Sequence, residues 1–120
     1  MNGILEYNDQ QRAVVRIDQE IVDYYYSLIP KAKYAKRQMY PAHITVVRIP
    51  PIEVIKNEEA WGKYEGEKIS FIYNGEIKFE SPYFFIEAWS ERIGDIREEL
   101  GLPRFRQSFT SYHITVGNVK

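Results

Sequence analysis

One short stretch occurs twice in this chain, and it narrows sharply what the chain can fold into. Ala42-His43-Ile44-Thr45-Val46 lies in the first half and Tyr112-His113-Ile114-Thr115-Val116 near the end. Each is an apolar, β-branched run of strand length, and side chains two apart on a strand share a face. His43 and Thr45 therefore point one way while Ile44 and Val46 enter a core. The same parity separates His113 and Thr115 from Ile114 and Val116. The chain contains 2 histidines in all, so the repeat holds every imidazole.

The surroundings of the motif repeat as well. Residues 11–17 read as a buried strand, and Asp18 is placed to cap a helix over 19–29. There Ile21, Val22, Tyr25, Leu28 and Ile29 recur at helical spacing until Pro30 stops it. A basic loop, 31–40, delivers the chain into the first motif strand, which ends at Pro50-Pro51. In the second half, 83–88 reads as a strand and Ser90 caps a helix to Leu100, with Gly101 at its end. A loop over 102–110 then leads into the last motif strand. The histidines are 70 positions apart (113 less 43), and this shift sets Val14-Val15 on Phe84-Phe85. Arg37-Gln38 matches Arg106-Gln107 at a shift one shorter.

Between the halves, 52–61 is expected to form a short helix presenting Glu53, Glu58 and Glu59 to solvent. Residues 68–73 and 76–80 alternate around Asn74-Gly75, a dipeptide that favours a type I′ hairpin turn. The expected fold is α+β: a single bilobed domain over 1–120, with two pseudo-symmetric β-α-β lobes at about 10–50 and 67–120. Its sheets are mainly antiparallel, and a central cleft is lined by the two motif strands.

Composition constrains the chemistry. A chain of 120 residues with 44% hydrophobic side chains suits one folded domain with its own core. It contains 0 cysteines, which excludes disulfides, thiolate metal sites and a cysteine nucleophile. The first residues lack the basic start and apolar run of a secretion signal, and no segment approaches membrane-spanning length. The expectation is a cytoplasmic protein without a membrane partner. Net charge is −1, yet all 17 acidic residues lie outside residues 24–52 and 100–120. Those two windows hold the motifs together with Lys31, Lys33, Lys36, Arg37, Arg48, Arg104, Arg106 and Lys120. Brought together, they make a positive cleft suited to an anion.

Two imidazoles facing one crevice can act as base and acid near neutrality. The threonine hydroxyls can donate to nonbridging phosphate oxygens, and lysines and arginines can offset charge developing on phosphorus. Phosphodiester cleavage uses this set and needs neither metal nor other cofactor. Two histidines without an adjacent carboxylate or cysteine make an incomplete metal shell, the weaker reading of the pair. Arg37, Arg48, Arg104 and Arg106 are candidates for gripping phosphate, and Tyr40 and Tyr112 for stacking on a base or lining the crevice. Trp61 and Trp89 are assigned to packing.

The paired His-x-Thr motifs, each flanked by apolar residues on a short chain, resemble the two-histidine (2H) phosphoesterase superfamily. That group includes RNA 2′,3′-cyclic phosphodiesterases, bacterial RNA ligase-like proteins and small phage enzymes that cut cyclic oligonucleotide signals of bacterial defence. The resemblance implies that His43 and His113 are the catalytic pair and that Thr45 and Thr115 hold the phosphate. The substrate it implies is a phosphodiester, of a nucleotide, a cyclic oligonucleotide or a short RNA. The alternative is a nucleic-acid-binding module that keeps the cleft without turnover, binding through Lys33, Lys36 or Arg106. A structural or interaction protein is a third option. Oligomeric state, base preference and the division of acid and base between the histidines are left open by the sequence.

Overall fold

Two helices form where local sequence dictates. Asp18 is extended and its carboxylate accepts from the Glu20 N–H at 3.0 Å, opening α1 (Gln19–Ser27). Ser90 Oγ accepts from the Ile93 N–H at 3.3 Å and opens α2 (Glu91–Glu99), which closes at Gly101, where φ is +84°. A left-handed residue at this position lets the last carbonyls find donors, and glycine adopts it without a Cβ penalty. These are the two helices of a computed structural model that describes residues 1–106 and 109–120, so Gln107 of the second Arg-Gln pair lies outside the described residues.

Among the described residues, seven strands make one antiparallel sheet: β1 (Asn2–Tyr7), β2 (Ala13–Arg16), β3 (His43–Val47), β4 (Lys68–Ser70), β5 (Ile72–Glu80), β6 (Tyr83–Trp89) and β7 (Tyr112–Asn118). Their order is β4-β1-β2-β3-β7-β6-β5, with α1 joining β2 to β3 and α2 joining β6 to β7. The architecture is thus α+β, a curled antiparallel sheet with two helices. A single apolar cluster joins Leu5, Val15, Ile44, Val46, Ile86, Ile114 and Val116 of the sheet to Ile21 and Val22 of α1 and Ile93 and Ile96 of α2. Burying each such side chain contributes about 1.5–3 kcal/mol. Because the inner residues of β3 and β7 are claimed by this cluster, strand parity turns His43, Thr45, His113 and Thr115 outward. Among the described residues, no helix is long and apolar enough to cross a membrane.

Three expectations are corrected. Asn74-Gly75 is not a hairpin turn: neither residue has positive φ, and β5 runs through both as an edge strand paired to β6, with a bulge between Asn74 and Lys78. Glycine there leaves room for a close approach by Tyr25, whose hydroxyl oxygen would lie 2.6 Å from a Cβ at position 75. The 52–61 helix is absent apart from one 3₁₀ turn, Glu58–Ala60. Glu53 is not on an exposed helix face; it is buried against Arg97. One strand, β1, lies N-terminal to the first expected lobe and pairs with β2 and β4.

Candidate active site

The two motif strands are hydrogen-bonded neighbours in the middle of the sheet, with Ile44 opposite Ile114. Partners in an antiparallel ladder run in opposite order, so Thr115 lies across from His43 and His113 across from Thr45. All four outward side chains line one cavity of about 480 Å³, and Arg48, Arg106 and Tyr40 line it as well. Its wall also includes Arg12, Phe85, Phe109, Glu80 and Lys120, which the motif analysis did not single out as site residues. Four cations against one carboxylate make the opening favourable to an anion.

His43 is held at both ring nitrogens. Nδ1 lies 2.7 Å from the Pro41 carbonyl oxygen and Nε2 lies 3.0 Å from Nη2 of Arg12. Burial lowers its pKa from the ordinary histidine value; the Pro41 carbonyl works against this, and the Arg12 and Arg16 charges add to it. Arg16 is its cross-strand partner on β2.

His113 is held by aromatic faces. Its ring stacks on Phe85 with centroids 4.1 Å apart and meets the edge of Phe109 at 4.8 Å. Burial again lowers the pKa, assisted by Arg48 and Arg106 and opposed by Glu87 and Glu80. Glu87 is its cross-strand partner on β6 and is itself tied to Lys78 at 2.8 Å.

Arg48 reaches the cavity from the end of β3, anchored by a buried network. Its N–H donates to Glu53 at 3.1 Å, and its Nη1 lies 3.6 Å from the same carboxylate oxygen. Burial on its own would raise the Glu53 pKa, but hydrogen bonds and charge from Arg97 and Arg48 hold that carboxyl below its usual range.

Three expected ligands, Arg37, Tyr112 and Arg104, sit elsewhere. Arg37 pairs with Asp23 at 3.1 Å and lies 4.6 Å over the Tyr26 ring, because the basic loop folds back on α1. Tyr112 is buried, donates to the Arg104 carbonyl at 2.7 Å and packs on Phe105. It precedes His113 by one residue and so faces the core, and burial pushes its hydroxyl pKa up to about 12. Arg104 is engaged by Asp95, Glu98 and Glu91, and the Lys36 ammonium donates to the Lys120 carbonyl at 2.8 Å. Among the described residues, no group of three His, Cys, Asp or Glu is arranged to hold a metal ion.

Both histidines fold in surroundings that favour the neutral ring, which sets a pH dependence of stability. The unfolded chain binds more protons than the folded one below about pH 6.5, so stability is complete above that value and falls as pH drops toward the lowered folded values. The lowered carboxylates Glu53, Glu67, Glu87 and Glu99 add losses only below their ordinary value of 4.5. Melting temperature should therefore decline between pH 7.5 and 5.0 in the natural chain. The decline should flatten in a His43→Gln/His113→Gln double variant; equal slopes would show that the imidazoles are not buried as described.

Comparison of this chain with family models, with curated proteins and with solved structures finds no match.

Proposed function

We propose that this protein is a metal-independent phosphodiesterase of the two-histidine type, acting on a nucleotide phosphodiester, most simply a cyclic one. The observation that carries the reading is the convergence of His43, Thr45, His113 and Thr115 with Arg48 and Arg106 on one cavity. One imidazole takes the proton of an attacking hydroxyl or water, and the other protonates the leaving oxygen. The threonine hydroxyls and the two guanidiniums hold the nonbridging oxygens and stabilise the pentacoordinate phosphorus. A volume of about 480 Å³ suits a small nucleotide rather than a long RNA. On this reading β2-α1-β3 and β6-α2-β7 are the two related lobes, and the cleft between them is the active site.

Both rings favour the neutral state in their own surroundings, so the acid acquires its proton as the substrate's negative charge enters. The kcat/KM, which reports the free enzyme, should follow a bell-shaped pH profile with both limbs at or below the ordinary histidine range. The test incubates the protein in EDTA with a 2′,3′-cyclic nucleotide and with a cyclic dinucleotide. Hydrolysis of either that persists in EDTA and shows both limbs supports the proposal. Loss of activity in EDTA, or a flat profile through pH 5–8, counts against it. Salt-sensitive RNA binding with no product would favour the non-catalytic binding module instead.

A further inference from the structure

The hydrogen bonds around His43 admit one protonation state. A carbonyl oxygen only accepts, so Nδ1 beside Pro41 carries a proton; a guanidinium only donates, so Nε2 beside Arg12 presents its lone pair. His43 is therefore the neutral Nδ1–H tautomer, with its basic nitrogen covered by Arg12. The Arg12 guanidinium rests on two uncharged partners, this nitrogen and the Tyr40 ring 5.6 Å away. Among the described residues, no carboxylate forms an ion pair with it. An arginine so placed on the wall of an anion-accepting cavity gains a charge-assisted partner as soon as a phosphate enters.

The second histidine has opposite company. The charged groups facing His43 are Arg12 and Arg16, both cations, with Arg16 directly across the strand pair and itself paired to Glu6 at 2.7 Å, so that among the described residues Arg12 is the unpaired charge beside the ring. Those facing His113 are Arg48 and Arg106 on one side and Glu87 and Glu80 on the other, with Glu87 directly across the strand pair. The protonated ring is therefore better tolerated at His113. The two imidazoles are chemically unequal although their tripeptides are identical.

We propose that Arg12 is a positioning residue that latches His43 as the base: it covers Nε2 in the free protein and moves to a phosphate oxygen when substrate binds, leaving His113 as the acid. The inference rests on the phosphodiesterase reading and assigns its direction. On release, Nε2 takes the proton of the attacking hydroxyl or water while that oxygen's electron pair forms the new bond to phosphorus. The bond from phosphorus to the leaving oxygen breaks with its pair on that oxygen, which takes the proton from His113.

Two measurements test this. The first needs no turnover: ¹⁵N-labelled imidazoles are followed by NMR through pH 4–8 in the natural chain, in Arg12→Ala and in Arg12→Lys. The latch predicts the Nδ1–H tautomer at His43 and a titration midpoint below that of His113. It also predicts a rise of the His43 midpoint alone in Arg12→Ala, with Arg12→Lys in between. A His43 titration and tautomer identical in all three would overturn it.

The second measurement separates acid from base with two diesters, UpU and uridine 3′-(p-nitrophenyl phosphate), whose nitrophenolate leaves without a proton. His113→Ala should lose about 10²–10⁴-fold on UpU but stay within about 10-fold of the natural chain on the nitrophenyl ester, whereas His43→Ala should lose on both. The reverse pattern overturns the assignment. Arg12→Ala should raise KM by about 10–100-fold and move the acidic limb of the pH profile upward, since its base is easier to protonate. If the natural chain cleaves neither these diesters nor the two cyclic substrates while the NMR result holds, the phosphodiesterase reading fails and the latch stands as a binding device.

Discussion

His43→Ala is expected to lower kcat/KM for phosphodiester hydrolysis by about 10²–10⁴-fold without unfolding the protein. Its ring is only partly buried and its hydrogen bonds go to one carbonyl and one arginine side chain, so truncation removes chemistry and little packing. His113→Ala should lose as much wherever the leaving oxygen needs a proton, although its ring also fills space between Phe85 and Phe109. The double variant should be scarcely worse than either single one, because base and acid act in one transition state and their losses do not add. Steady-state kinetics with circular dichroism on each variant decide the matter. Full activity in a folded His43→Ala protein would remove His43 from the chemistry and with it the two-histidine mechanism.

Much of this arrangement could be read from residue order because its signals are local. Caps at Asp18 and Ser90, the glycine after α2 and the parity of the two His-Ile-Thr runs each depend on a few adjacent residues. The same parity already argues against Tyr112 as a ligand, since it shares a face with Ile114 and Val116. What sequence order concealed was decided by partners far along the chain. Gly75 serves an approach by Tyr25, 50 positions earlier (75 less 25), and only superficially marks a turn. Arg12 stands 31 positions from His43, outside both acid-free windows, on a turn that closes as Asn8 accepts from its N–H at 2.9 Å. Part of the positive charge in those windows is engaged elsewhere, on Asp23 through Arg37 and on Asp95, Glu98 and Glu91 through Arg104.

Arg97→Met should be the most damaging single change to stability. Arg97 is 1% exposed and Glu53 8%, and the pair is bidentate, at 2.6 Å from Nη2 to Oε2 and 3.1 Å from Nη1 to Oε1. Nη1 also donates to the Val46 carbonyl at 2.6 Å and Nε to the Pro103 carbonyl at 2.9 Å, so one guanidinium ties α2 to β3 and to the loop before β7. Removing it strands a carboxylate in the interior, a loss of about 3–5 kcal/mol. That is a large part of the roughly 6–18 kcal/mol available to a domain of 120 residues. Part of the penalty is the orphaned charge, so a second change, Glu53→Leu, should recover some of it, as buried pairs replaced together by apolar groups often do. Urea unfolding of the two singles and the double gives the coupling directly. The recovered double should still be a poor enzyme, because Arg48 loses the carboxylate that receives its N–H and steadies its guanidinium beside the cavity. Stability restored together with activity would mean that Arg48 does not need Glu53 to serve the site.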